Sequence, residues 1–321
     1  MRVSRMLGRV VVAVAATTAL AACSTGSGQS GTADESGQSG QSGDRTISLV
    51  ASTNVWGDVA SQVAGDAVSV TSIISDPDTD PHEYQADART QLALSEADVV
   101  VENGGGYDDF VDTMLSAAKS EATVINAVDV SGFAATQGDE LNEHVWYDYP
   151  TVIKVAGAIE EALSKADPDN ASTFESNLAT FTTKVEGLEK AAAEVKSAHA
   201  GAGVAITEPV PLYLLEAMGL DNKTPEAFSE AIEEETDVPA TVLDETLKLF
   251  SDHQVDALVY NEQTTGPQTE AVLSAAKDAD LPVVPVQETL PAGLDYVSWQ
   301  QKIIDEISAA AVLQAHVSVI K

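Results

Sequence analysis

The 321 residues carry 51 Asp and Glu against 16 Lys and Arg, a formal net charge of −35 at pH 7. Such a polyanion repels nucleic acid and anionic ligands and concentrates cations at its surface, although most of its acids are expected to be solvated surface. With hydrophobic residues at 44% and charged residues at 21%, the composition is globular and the length suffices for two domains.

The chain opens with a basic stretch, Met1 to Arg9, followed by the apolar run Val10 to Ala19 and then Leu20-Ala21-Ala22-Cys23. This reads as a secretory signal over residues 1–22, too short to persist as a spanning helix. Leu-Ala-Ala-Cys has the lipobox pattern, in which cleavage precedes the cysteine and its sulfur takes a diacylglycerol. Cys23 is the only cysteine, so no intramolecular disulfide can form. Ser24 to Asp44 is built largely from Gly, Ser, Gln and Thr. It is expected to be a flexible tether with an average reach of roughly 25 Å. Residues 23–44 are therefore assigned to the lipidated cysteine and its tether, outside the fold.

From Thr46 short β-branched runs alternate with helical periodicity. Ile47–Ala51 reads as a strand, Val55–Val63 as a helix and Val68–Ile74 as a strand. Asp76-Pro77-Asp78-Thr79-Asp80-Pro81 has loop chemistry and delivers His82. Helix Ala86–Glu96 leads to Asp98–Glu102, an unbroken apolar run suited to a buried parallel strand. The glycines of Asn103-Gly104-Gly105-Gly106 lack the Gly-Lys-Ser/Thr of a phosphate loop, and are read as a turn needing unusual backbone angles. Helix Asp108–Lys119 and strand Thr123–Ala127 complete the first half, and the following loop delivers His144.

Thr151–Lys165 reads as a helix. Ala171–His199 places apolar residues at Phe174, Leu178, Phe181, Val185, Leu188, Ala192 and Val195, the spacing of one amphipathic helix about 40 Å long. The second half repeats the alternation. Strand Gly203–Ile206 ends at Glu208, strand Val255–Tyr260 at Glu262 and strand Pro282–Val286 at Glu288. The helices are Leu212–Met218, the acidic Glu226–Asp237 (read as a solvated face), Thr241–His253, Thr269–Ala279 and Trp299–Leu313.

His82 and His144 each lie among carboxylates and aromatics in a chain with five histidines. Imidazole is a common metal ligand, and flanking acids can anchor its second nitrogen. Either histidine alone is as easily a surface or core residue, and each glutamate alone as easily a cap. The matched settings point to a metal site, because ligands in open α/β sheets bind beyond the carboxyl ends of strands. His199, His253 and His316 are scattered and read as helix-end or surface residues.

The ordered text Pro81-His82-Glu83-Tyr84, Val101-Glu102-Asn103-Gly104-Gly105-Gly106-Tyr107-Asp108 and His144-Val145-Trp146-Tyr147-Asp148 resembles the metal-binding lipoproteins of bacterial ABC importers. These are solute-binding proteins for manganese, zinc or iron. The resemblance runs from about Ile47 to the C-terminus. It implies an α/β fold of two lobes (45–167 and 201–321), each a mainly parallel sheet flanked by helices, joined by one long rigid helix within 168–200. It also implies metal ligands at His82, His144, Glu208 and Glu288, with Gln287 as a competitor one residue away and Glu262 in a supporting role. The expected ligand is a divalent metal ion, Mn²⁺ or Zn²⁺ with Fe²⁺ as a further candidate. Carboxylate oxygens and the lack of a His-rich loop favour manganese. The expected partners are an ABC permease with its ATPase subunits and the membrane, through Cys23. The protein would be a monomer on the extracytoplasmic face. A metal-dependent hydrolase and a surface adhesin are the alternatives. No His-Glu-x-x-His or nucleophile elbow is present, and four protein ligands would leave zinc no open position for water, so no enzyme is expected.

Overall fold

Two sheets with the same strand order form the frame. In a computed structural model, β1 (Ser48–Thr53), β2 (Ser69–Ile74), β3 (Val99–Glu102) and β4 (Thr123–Asn126) make the first, in the order β2-β1-β3-β4 with every pair parallel. Helices α1 (Asn54–Ala64), α2 (Ala88–Glu96) and α3 (Phe110–Ala118) connect them. Three helices follow: α4 (Ala127–Ser131), α5 (Tyr149–Ala166) and α6 (Ala171–His199). The second sheet contains β5 (Gly203–Ile206), β6 (Asp221–Asn222), β7 (Ala257–Asn261) and β8 (Val283–Val286), ordered β6-β5-β7-β8 and again all parallel. Around it lie α7 (Leu212–Ala217), α8 (Glu226–Glu233), α9 (Ala240–Ser251), α10 (Pro267–Asp278) and α11 (Tyr296–Ser318). The structure describes residues 46–77, 79, 81–82, 84–134 and 141–318, with side chains to residue 311. The signal, Cys23, the tether and Glu83 lie outside the described residues. Among them, no helix is long and apolar enough to cross a membrane.

Period-two alternation explains why parallel strands suit these runs. Leu49 and Ala51 of β1 and Val99 and Val101 of β3 face the central core, while Val50 and Val100 face a smaller cluster under α2 and α3. In the second sheet Val204, Ile206, Ala257 and Val259 face the central core, and Ala205, Leu258 and Tyr260 the outer cluster with Phe228 and Phe250.

The central core reaches both sheets through α6. Phe174, Phe181, Val185, Leu188, Ala192 and Val195 form its buried stripe, packed in one cluster with α1, α5 and α11. At 29 residues it spans roughly 43 Å.

Several boundaries differ from the sequence reading for local chemical reasons. Asp87 caps α2 by accepting from the Arg89 and Thr90 amides, so that helix starts at Ala88. Asp148 caps α5 through the Thr151 amide, with Pro150 in the first turn. The acidic helix stops at Glu233 rather than Asp237, with Glu235 at a left-handed φ of 52°. The short α4, the 3₁₀ turn Val145–Tyr147 and the two-residue β6 were not anticipated.

Phe181 is 1% exposed and its ring meets Tyr296 of α11 at 6.2 Å. Phe181→Ala is expected to destabilise the fold by about 3–5 kcal/mol, measured by urea unfolding. Thr183→Ala, on the exposed side of α6, should stay within about 0.5 kcal/mol.

Candidate metal centre

The loops after the strands deliver the site. Beyond β3, Asp108 accepts from the amides of Asn103 (2.7 Å) and Gly104 (2.8 Å), closing a turn in which Gly104, Gly105 and Gly106 all have positive φ. A Cβ on Gly104 would come within 2.2 Å of the Asn126 amide, so the turn needs glycine for space as well as angle. The turn sets the Tyr107 ring edge-on to His82 at 5.0 Å and to His144 at 6.2 Å. Trp146 packs edge-on to His144 at 5.1 Å. Aromatic rings thus wall one side of both imidazoles.

His144 is fully buried. Its Nδ1 donates to Asn142 Oδ1 at 2.7 Å, which turns Nε2 into the pocket. Asn142 is itself held from the second lobe: its Nδ2 donates to the Pro209 carbonyl, and its own carbonyl accepts from the Tyr213 hydroxyl. Glu288, 1% exposed, enters from the end of β8. Its Oε1 accepts from Asn261 Nδ2 at 2.9 Å, and its amide donates to Gln263 Oε1 at 2.6 Å. The other end of the Gln263 amide donates to the Thr79 carbonyl and to Thr289 Oγ1, tying the loop ahead of His82 to the loop carrying Glu288.

Glu288 Oε2 lies 3.3 Å from His82 Nε2 and 3.7 Å from His144 Nε2. Glu233 Oε1, from the last residue of α8, lies 3.2 Å and 3.5 Å from the same two nitrogens. Among the described residues, His82, His144 and Glu233 form a group whose ligand atoms all lie within 4.8 Å of one another. Glu208, just beyond β5 and 3% exposed, stands beside them with its carboxylate hydrogen-bonded by Thr264 and Asn261.

Charge pairing dominates the electrostatics. Burial draws the His82 imidazolium down, but contact with Glu233 and Glu288 outweighs it and lifts the pKa to about 11. The same opposition, with Glu143 added, holds His144 at about 9. Glu288 is pushed up by burial and pulled further down by the two rings, so it stays ionised well below the usual range. Glu208 has no such partner: burial and the charges of Glu288 and Glu233 push it to about 8. The environment thus favours the protonated form of both rings and the ionised form of Glu288, and pushes Glu208 toward its neutral form.

Of the residues expected from sequence, the structure brings His82, His144 and Glu288 into contact and buries Glu208 within electrostatic reach of Glu288. The backbone carbonyl of Gln287 accepts from the Tyr147 hydroxyl. Glu262 is exposed, and the supporting contact to Glu288 comes instead from Asn261. The strand's alternation puts Asn261 on the inner face with Ala257 and Val259, so the residue after it points outward. Glu233 was missed. Its segment reads as a solvated acidic helix, and the only signal was helical spacing: Phe228 and Ile232 bury one flank, leaving Ser229 and Glu233 on an adjacent stripe.

Two α/β lobes joined by a long helix, with a buried polar pocket at their strand ends, make a substrate-binding protein. The chain belongs to the ZnuA family, described as zinc-uptake complex component A, periplasmic, whose sequence model matches residues 49–310. It is 26% identical over 216 residues to the manganese-binding lipoprotein MntA of Halalkalibacterium halodurans, covering 63% of this chain and 72% of the relative. With MntA of Bacillus subtilis it shares 26% over 242 residues, covering 73% and 77%. The crystal structure of ZnuA matches at a TM-score of 0.70 and 19% identity, covering 83% of this chain and all of that one, a likeness of fold.

Glu288→Gln removes the charge that both rings share. The His82 pKa is then expected to fall from about 11 toward the ordinary 6.5, and that of His144 to fall with it, in an NMR titration of the ring protons. An unmoved His82 would show that Glu233 alone sets its charge.

Proposed function

We propose that this chain captures a divalent transition metal ion between its lobes and delivers it to an ABC permease on the extracytoplasmic face of the cell membrane. The observation that carries the reading is a convergence of buried atoms: His144 Nε2, Glu208 Oε2, Glu233 Oε1 and Glu288 Oε2 all lack a hydrogen-bond partner. Buried polar atoms held only by charge contacts among themselves are expensive, and a cation would satisfy several of them at once. His82, His144, Glu208 and Glu288 are the proposed ligands. Two carboxylates neutralise a dication and tilt the set toward Mn²⁺, with Zn²⁺ next and Fe²⁺ as a further candidate. The manganese in the relatives' names and the zinc in the family's description support the same class of cargo.

The chain's residues do no bond-making chemistry in this reading. They replace the ion's water shell and shed protons in doing so. Residues 1–22 would direct export and Cys23 would carry the lipid, with the tether to residue 44 holding the two lobes off the membrane. The acceptor is a permease working with ATPase subunits, and the binding protein acts as a monomer.

His82→Ala and Glu288→Ala are each expected to weaken Mn²⁺ and Zn²⁺ binding at least about tenfold, measured by calorimetric titration, with the circular dichroism spectrum retained. Saturating Mn²⁺ or Zn²⁺ should raise the melting temperature by mass action; an unmoved melting curve with both ions would sink the reading. The pH dependence has a definite sign. Below their pKa values of about 11, 9 and 8, His82, His144 and Glu208 hold protons that the metal must displace. Apparent affinity should therefore rise from pH 6 to pH 9, with protons released to the buffer on binding, and a flat profile would argue against these ligands.

A further inference from the structure

Glu233 reaches the site by a different route from the other acids. Glu208 and Glu288 are fixed in loops directly after β5 and β8, whereas Glu233 ends a helix of the second lobe. Its Oε1 is buried and makes charge contacts to the two ring nitrogens at 3.2 Å and 3.5 Å, without a well-formed hydrogen bond, yet its side chain is 12% exposed, against 1% for Glu288. It is thus the more outward of the two carboxylates that touch the histidines.

The surroundings of α8 show why that position matters. Glu226, Ser229, Glu230 and Glu233 share one stripe of the helix and line a cavity of about 340 Å³ that opens from His82. Just beyond the helix end, Glu235, Thr236 and Asp237 line a second cavity of about 390 Å³, which also borders Ile232. The last turn of α8 therefore stands between two voids. It is anchored from behind by Phe228 and Ile232 in the outer core of the second lobe. A carboxylate held this way can advance onto an ion or retreat from it without repacking the sheet that fixes Glu288.

Resting on the metal-capture reading, we propose that Glu233 is a further metal ligand, carried on the entrance helix, which closes the pocket over the bound ion and slows its escape. It raises the carboxylates available to the ion to three. Oxygen-rich sets of five or more donors suit Mn²⁺, while Zn²⁺ is satisfied by four. Glu233 should therefore matter more for manganese than for zinc, and more for release than for entry, because an outer ligand engages last and leaves first.

The test uses the full chain with Glu233 replaced by Gln, which keeps shape and helix propensity, and separately by Ala. Mn²⁺ and Zn²⁺ chlorides are the probes, with release followed after mixing the loaded protein with excess chelator. Both variants are expected to release Mn²⁺ about tenfold or more faster than the unaltered chain. Zn²⁺ release should change by less than about threefold, so the Mn²⁺/Zn²⁺ affinity ratio falls. The electron paramagnetic resonance spectrum of bound Mn²⁺ should also change, which a merely structural role for Glu233 would not produce. Release of both ions within about twofold of the unaltered chain, or acceleration equal for the two, overturns the assignment. His144→Ala separates the failures: if it abolishes binding while Glu233→Gln changes nothing, capture stands and the helix-borne ligand falls. If the unaltered chain binds neither ion, the capture reading itself fails.

Discussion

Everything at the site depends on opposite charges being buried together. Glu288 is enclosed almost completely and would be intolerable as an isolated anion. Two imidazolium rings within 3.7 Å make it stable, and its presence makes them stable in turn. The protons on the histidines occupy the electrostatic place that a bound dication would take. The pocket is thus held together by its own buried charge pairs. Burial and the charges of Glu288 and Glu233 push Glu208 the opposite way, toward its neutral form.

That balance demands accurate placement, and the fold supplies it by crossing hydrogen bonds between the lobes. Gln263 holds the Glu288 amide with one end of its side chain and the Thr79 carbonyl with the other. Asn54 exchanges a pair of hydrogen bonds with the backbone of Leu290, two residues beyond Glu288. The Tyr147 hydroxyl fixes the Gln287 carbonyl, and the Tyr296 hydroxyl the Trp146 carbonyl. Apart from the bond of Gln263 to the Glu288 amide, each contact joins a residue near the pocket to the opposite lobe. The rings and carboxylates are therefore positioned by the relation between lobes, with α6 and its continuous core as the stiff member behind them.

Much of this was legible in the sequence because the relevant signals are local. Alternating β-branched runs, the stripe from Phe174 to Val195 and the glycines at 104–106 each announce a backbone conformation on their own. His82, His144 and Glu288 could be picked out because strand ends in such sheets converge on one edge. Glu262 stands one residue past Asn261, which in a strand is the difference between outside and inside. Glu233 was hidden for another reason: it stands in an acidic run whose solvated and buried members differ only in helical phase. That phase has meaning only once the helix is docked. Asn142 and Gln263 were equally silent, since an amide that bridges two lobes has no signature until both are in place.

Asn142 carries a consequence of its own. One amide group orients the His144 ring through its oxygen and grips the Pro209 carbonyl, next door to Glu208, through its nitrogen. Any parting of the lobes that breaks the second bond frees the amide to rotate, and the imidazole loses its guide at the same moment. One of the bonds between the lobes and the aim of the His144 ring thus share a single side chain. The grip on a cargo ion would slacken from the interior as the mouth widens, without a separate signal to let go.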